Sequence, residues 1–124
     1  MKIMKKKKNL RVGLRHKNPK IFFNAEKAEG LKQIFGLMFI KKEKAAPLLF
    51  EFKDKKIISL HSFFVFFPFL AIWLDDKDEI LETRLVKPFS FCISPKKPFT
   101  KVLEIPFNQK YKKIAQKFVG KRKI

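Results

Sequence analysis

The sequence IISLHSFFVFFPFLAIWL, residues 57–74, decides how the chain folds, because it contains no charged side chain over 18 positions. A helix of this length would span about 27 Å, close to the roughly 30 Å hydrocarbon core of a bilayer. Lysines precede the stretch and acidic residues follow it, which would suit an oriented membrane span. A membrane-associated protein that uses residues 57–74 is therefore one interpretation, and a pair of buried strands is the other.

Pro68 favours the two-strand interpretation. Three polar residues lie near one end of the stretch, and its many Phe and β-branched residues are typical of strands. Because proline cannot donate a hydrogen bond to a ladder, it belongs at the start or the edge of a strand. We therefore predict strands over residues 60–67 and 69–75, folded back on each other at Pro68.

The composition indicates one globular domain. The chain has 124 residues, of which 46% are hydrophobic and 33% charged, and 16 of them are Phe. A single cysteine excludes an internal disulfide, and two histidines far apart in sequence provide no metal-ligand cluster. No apolar run of signal-peptide length follows the basic N-terminus, so we expect a cytoplasmic protein.

Positive charge is concentrated at the two ends of the chain. Residues 1–20 carry a net charge of +9, residues 21–95 of +1 and residues 96–124 of +9. Such clusters attract phosphate-rich polymers, although a solvated lysine surface without a partner is the alternative. The predicted anion-binding residues are Lys5, Lys6, Lys7, Lys8, Arg11, Arg15, Lys110, Lys113, Lys117, Lys121, Arg122 and Lys123.

The balance of basic residues limits what such a partner would be. Lysine outnumbers arginine 26 to 4, and base-specific DNA recognition usually depends on bidentate arginine. Trp73 and Tyr111 both fall in stripes predicted to be buried, so the sequence identifies no exposed aromatic ring for base stacking. We expect contact with the phosphate backbone of a nucleic acid, or with another polyanion.

The first half of the chain contains few regular elements. Residues 1–19 form a basic arm that we expect to be mobile. Residues 21–23 predict a short strand, and Asn24 can cap a helix over about residues 25–35 that Gly36 would end. Residues 48–52 predict a strand, followed by a lysine-rich turn over residues 53–56.

The second half predicts a hairpin, two further strands and a helix. The acidic run 75–79 is a polar turn from which a strand returns, and Lys87-Pro88 ends that strand. Residues 89–94 and 101–105 have the patterns of strands. The apolar residues of the final helix recur at helical spacing with lysines around them, and they are Tyr111, Ile114, Ala115 and Phe118.

These elements predict a mainly β domain of the α+β class, a small curled sheet or sandwich over residues 20–124. One short N-terminal helix and one C-terminal amphipathic helix accompany the sheet. No motif fixes a chemistry: the four glycines are dispersed, and the acidic run lacks the glycine and distant glutamate of a calcium loop. A nucleophile pair of Cys92 and His61 is conceivable, but nothing near either residue would stabilise a thiolate. We predict no catalytic residue, metal or cofactor.

Several segments, in order, resemble an uncharacterised family of small β-rich proteins known as domain of unknown function 192. They cover about residues 21–124. The segments are Gly36-Leu37-Met38-Phe39, His61-Ser62-Phe63-Phe64 through Pro68 to Trp73-Leu74-Asp75, Lys87-Pro88-Phe89, Val102-Leu103-Glu104-Ile105-Pro106 and Val119-Gly120. The resemblance implies a compact curled sheet and no membrane span, and it implies no activity.

The same resemblance suggests where a small-ligand or enzymatic site would lie. The polar or shape-bearing positions in the family-like segments are His61, Ser62, Lys87, Phe89 and Glu104. Family members usually have Arg two residues before the proline and Asp two residues after it, where this chain has Phe66 and Leu70. Positions four apart share one side of a strand, so we expect the two polar residues to have been lost together. Asn108 occupies the position of a family glycine and would adopt a left-handed turn.

Overall fold

Six strands form one mixed sheet in the computed structural model, which describes residues 9–15, 20–29, 36–56, 64–90 and 93–119. Within these ranges a 3-10 turn covers Lys42–Lys44, and an α-helix follows the last strand. The elements are β1 (Asn9–Arg15), β2 (Lys20–Lys27), β3 (Leu48–Lys56), β4 (Phe69–Leu74), β5 (Ile80–Val86), β6 (Phe99–Pro106) and α1 (Lys112–Val119). The predicted mainly β fold of the α+β class is confirmed.

The strands are ordered β1-β2-β3-β6-β4-β5 across the sheet. Only β2 and β3 run parallel, and the other neighbouring pairs are antiparallel. β4 and β5 form the hairpin predicted around the acidic run, and the Asp75 Oδ1 atom accepts hydrogen bonds from the backbone N–H groups of Lys77 at 2.8 Å and Glu79 at 2.9 Å. Asp75 thus closes the hairpin turn, and the hydrogen bond from Glu79 is the main cause that lowers the pKa of its carboxyl.

β4 is buried along its whole length. It lies between β5 and β6, and apolar side chains cover both of its faces. Phe69, Ala71 and Trp73 join a cluster on one face that we call the far-side core. Leu70, Ile72 and Leu74 join a cluster on the opposite face, which we call the helix-side core because it includes Ala115 and Phe118 of α1. The continuous apolar sequence of β4 follows from this two-sided burial.

Of the predicted strand pair at Pro68, the strand after the proline is confirmed and its predicted pairing is wrong. Residues 69–74 form the expected strand, but its partners are β5 and β6 rather than the residues before the proline. Residues 64–67 are irregular, and Phe64 has a left-handed φ of 59°. Val65 and Phe67 are buried while Phe64 and Phe66 are exposed, so an irregular segment reproduces the alternation of a strand. Residues 57–63 lie outside the described residues. Within the described ranges, no helix is both long enough and apolar enough to cross a bilayer.

The N-terminal predictions also need correction. Residues 9–15, assigned to the mobile arm, form β1 and pair with β2 over seven positions. Apolar residues alternate along this segment with a strand's period of two, which its many basic neighbours obscure. Residues 24–27 continue β2 instead of beginning a helix, and residues 28 and 29 are not helical either. Residues 30–35 of that predicted helix lie outside the described part of the chain.

One predicted turn and one predicted strand are also wrong. Residues 53–56 continue β3 rather than forming a turn. Residues 89 and 90 belong to a turn in which the Ser90 hydroxyl donates to the Lys87 carbonyl at 2.9 Å, so the predicted strand over 89–94 is absent where the chain is described. Phe89 has a left-handed φ of 59°, which a strand does not allow. The strand predicted over residues 101–105 and the C-terminal helix are confirmed.

The docking of α1 depends on Phe118, which is fully buried. We expect Phe118→Ala to lower the free energy of unfolding by about 3–5 kcal/mol, because it leaves a cavity beneath the helix. Phe66→Ala is the matched control, since this ring is 59% exposed, and it should cost less than about 1 kcal/mol. Urea denaturation followed by circular dichroism measures both, and equal losses would contradict this packing.

Candidate functional site

Three strands of the sheet end together beside Pro68. Phe69, the first residue of β4, pairs with Val86 and Pro106, the last residues of β5 and β6. The Phe107 N–H donates to the Pro68 carbonyl at 2.9 Å and extends this contact past the strands. The loops before β4, after β5 and after β6 therefore meet here, at what we call the Pro68 end of the sheet.

Asn108 ties two loops together at the Pro68 end. Its amide nitrogen donates to the carbonyl oxygens of Lys42 at 2.8 Å and Ala45 at 3.0 Å, and its carbonyl oxygen accepts from the Tyr111 N–H at 2.9 Å. The side chain is 4% exposed, so all three bonds are shielded from water. Asn108 is not among the described residues with left-handed backbone, and its role here depends on its side chain rather than on the expected turn.

A cleft of about 660 Å³ opens where these loops meet. Its charged residues are Lys42, Lys110 and Lys112 against a single acid, Glu43. The remaining lining residues are the amides Asn108, Gln109 and Gln116 and the apolar residues Pro68 and Phe107. The cleft also lies at the start of α1, where the dipole of the helix favours an anion.

The outer face of α1 continues this positive surface. Ala115 and Phe118 are buried in the helix-side core, which leaves Lys113 and Lys117 exposed on the other side of the helix. Lys110 is exposed as well, and its ammonium lies 5.5 Å from the Tyr111 ring centre. The amphipathic stripe of α1 thus directs its lysines outward, as the sequence predicted.

Four exposed phenylalanines lie on loops at the Pro68 end, outside the lining of the cleft. Phe39 is 65% exposed and Phe64 47%, and their rings stack with centres 5.1 Å apart. Phe66 is 59% exposed and Phe89 49%, and their rings meet edge to face at 5.4 Å. A hydrogen bond of 2.9 Å from the Phe39 N–H to the Phe64 carbonyl joins the two loops that carry the first pair.

The backbone under these rings is unusual. Phe39, Phe64 and Phe89 have φ values of 63°, 59° and 59°. Bulky residues rarely adopt left-handed backbone, and each such position costs on the order of 1–3 kcal/mol. Three exposed phenylalanines in this conformation indicate that the surrounding loops hold the rings outward against a local preference.

Glu104 is the one described carboxyl group buried near the centre of the sheet. It pairs with Leu48 of β3 and Ala71 of β4, and it is 7% exposed on the side of the far-side core. A Cβ atom added to Gly36 would lie 3.4 Å from the Glu104 Oε1 atom, so the turn at Gly36 covers this carboxyl closely. Burial raises the pKa of Glu104 to about 8, and the group is mostly protonated at neutral pH.

The predicted ligand site is not assembled among the described residues. His61 and Ser62 lie outside them, as does Cys92. Lys87 and Phe89 are exposed after β5, whereas Glu104 is buried in β6 on the other side of β4. The cleft contains none of the three.

The strand geometry assumed for Phe66 and Leu70 is wrong, and the joint loss of the two polar residues stays a prediction. Phe66 precedes β4 and is exposed, whereas Leu70 lies within β4 and is fully buried. Because residues 66–70 are not one continuous strand, the two positions do not share a side of the sheet.

The predicted anion-binding residues fall into three groups by their location in the structure. Lys110, Lys113 and Lys117 are exposed in and after the loop that leads into α1. Arg11 and Arg15 lie in β1, the strand at the sheet edge. The others lie outside the described residues, and they are Lys5, Lys6, Lys7, Lys8, Lys121, Arg122 and Lys123. Sequence reasoning missed Lys42 and Asn108, which only tertiary packing brings to the cleft.

No group of three or more His, Cys, Asp or Glu residues arranged to hold a metal occurs in the described ranges. The acidic run after β4 instead forms the hairpin turn closed by Asp75.

Comparison with known proteins supports the fold. No protein-family model matches the chain, and no curated protein matches its sequence. The crystal structure of a candidate transcription regulator from Sinorhizobium meliloti 1021 matches with a TM-score of 0.71 and 18% identity, over 93% of this chain and 91% of that one. A protein of unknown function from Novosphingobium aromaticivorans DSM 12444 matches with a TM-score of 0.67 and 17% identity, over 86% of this chain and 79% of that one.

Glu104 should make stability depend on pH. Its pKa rises from 4.5 in the unfolded chain to about 8 in the fold, so between these values the folded protein binds the extra proton. The free energy of unfolding therefore falls as pH rises through this window. Glu104→Gln removes the titration, and its stability relative to the wild type should improve by up to about 1.4 kcal/mol per pH unit.

Urea denaturation at pH 5, 6, 7 and 8 measures this difference. Gln109→Ala, at an exposed uncharged residue, is the matched control and should keep a constant offset from the wild type. A constant offset for Glu104→Gln as well would contradict the buried, protonated state.

Proposed function

We propose that this protein is a non-catalytic module that binds a polyanion, with the phosphate backbone of a nucleic acid as the partner. The observation that carries the proposal is the lysine-lined cleft at the Pro68 end, which continues into the exposed lysines of α1. Lys42, Lys110 and Lys112 surround the cleft with one acid among them. Lysines so arranged raise the local concentration of a polyanion and release its counterions on binding.

The mode of binding follows from the side chains present. Lysine is a point charge with rotatable donors, and it contacts phosphates without the bidentate geometry that reads bases. The chain has 26 lysines and 4 arginines, so affinity should depend on charge and little on base sequence. The candidate transcription regulator among the similar structures is consistent with a nucleic acid partner.

Two further assignments belong to this proposal. The basic N-terminal residues, including Arg11 and Arg15 in β1, would add charge at the sheet edge. A cytoplasmic location would suit the partner, and the single cysteine requires no oxidising compartment.

We also propose membership of the family known as domain of unknown function 192. Supporting it are the order of the family-like segments and three backbone features: the left-handed φ of 57° at Gly36, Pro68 immediately before β4, and Pro106 at the end of β6. The proposal concerns the fold and lends no activity to the chain.

A double charge reversal tests the binding function. Lys113→Glu with Lys117→Glu should weaken binding to a duplex DNA of about 20 base pairs by at least tenfold at low salt, because four units of charge change on the outer face of α1. Electrophoretic mobility shift at 50 mM and 200 mM salt measures the loss. Wild-type binding itself should weaken steeply between these two concentrations.

Lys96→Glu with Lys97→Glu is the matched control. The Lys96 N–H donates to the Glu82 carboxylate at 3.1 Å, and Glu82 pairs with Trp73 of the far-side core, so these lysines lie on the face away from α1. The control should retain most of the affinity. Equal losses in the two variants, or no binding by the wild type at low salt, would contradict the proposal.

A further inference from the structure

We propose that the exposed phenylalanines at the Pro68 end stack on the bases of a single-stranded nucleic acid whose phosphates the neighbouring lysines neutralise. The inference rests on the proposed function and names its partner more closely. Proteins that bind single strands without sequence preference combine a positive groove with exposed aromatic rings. Both components meet at one end of this sheet.

The rings lie on loops that are a few residues of chain away from the cleft. Phe66 lies two residues before Pro68, which lines the cleft, and its ring contacts that of Phe89 in the loop after β5. Phe39 lies three residues before Lys42, another lining residue, and its ring stacks on Phe64. Each pair is therefore connected to the cleft by a few residues of chain, on loops that share the Pro68 end.

The rings are also unusually exposed for phenylalanine side chains. Large apolar side chains usually lie in the core, and this chain buries Phe23, Phe67, Phe69, Phe99 and Phe118 in that way. The four phenylalanines on the loops at the Pro68 end are instead 47–65% exposed, three of them on left-handed backbone. Within each pair one ring supports the other, which leaves a fixed aromatic face toward solvent.

Charge complementarity identifies the occupant. An apolar partner would gain nothing from Lys42, Lys110 and Lys112, and a double helix offers phosphates but keeps its bases stacked inside. A single strand presents phosphates and unstacked bases together, so it matches both components of this surface. An anionic membrane would also meet lysines and phenylalanines, and the experiment separates it.

The test measures the binding of three probes to the wild type and to one double variant. Fluorescence anisotropy measures binding of a labelled 12-nucleotide single strand and of the duplex of the same sequence, and co-sedimentation measures binding to phosphatidylserine–phosphatidylcholine vesicles. The wild type should bind the single strand more tightly than the duplex. Phe39→Ala with Phe66→Ala should weaken single-strand binding by on the order of tenfold or more and leave duplex binding unchanged.

Controls keep the outcomes distinct. Leu85→Ala removes another large exposed apolar side chain, from β5, and should bind like the wild type. Circular dichroism should show that both variants fold. Equal binding of single strand and duplex, unaffected by the phenylalanine changes but lost in Lys113→Glu with Lys117→Glu, would overturn this inference and leave the proposed function intact.

Two other outcomes are equally decisive. Loss of vesicle binding in the phenylalanine variant, with single-strand binding unchanged, would overturn the inference in favour of a membrane surface. Absence of binding to either nucleic acid at low salt would overturn the proposed function together with it.

Discussion

Burial of β4 on both faces and along both edges is the constraint on which the rest of the structure depends. All six of its residues are buried, between β5 and β6 and between two apolar cores. A strand enclosed in this way offers nothing to a partner along its length. The groups around β4 that can meet a ligand lie where the strands end, and at the Pro68 end the loops of three strands meet. The buried centre of the sheet thus positions the loops that carry the cleft and the exposed rings.

The elements that could be predicted from sequence are those whose pattern has a single explanation. The hairpin around residues 75–79 combines a polar turn with apolar flanks, and α1 has a helical stripe that no strand produces. Residues 60–67 are predicted to be a strand because Phe and β-branched residues are typical of strands, but residues 64–67 form an irregular segment against the core. The partners of β4 come from residues far along the chain, which local periodicity does not specify.

Only part of the candidate site can likewise be predicted from the sequence. The exposed lysines of α1 follow from the stripe that the helix buries, so sequence alone predicts them. Lys42 and Asn108 are 66 residues apart, and a hydrogen bond between them builds the wall of the cleft, which no local pattern reveals. The exposed phenylalanines could not be predicted for a different reason: a phenylalanine in a sequence indicates a core residue by default, and only the structure shows that these four are exposed. Glu104 would be predicted from sequence to be an ordinary exposed carboxylate, because only the structure shows that it is buried.

The central claim is that the Pro68 end of the sheet is the binding surface, and its most direct test is the mapping of amide chemical shifts in the ¹⁵N-labelled protein as a single-stranded oligonucleotide is added. The account predicts that the shifts change at residues 39–44, 64–67, 87–90 and 108–113, and that the amides of the β4–β5 turn at residues 75–79 stay in place. Changes concentrated at that turn, with the Pro68 end unaffected, would contradict it.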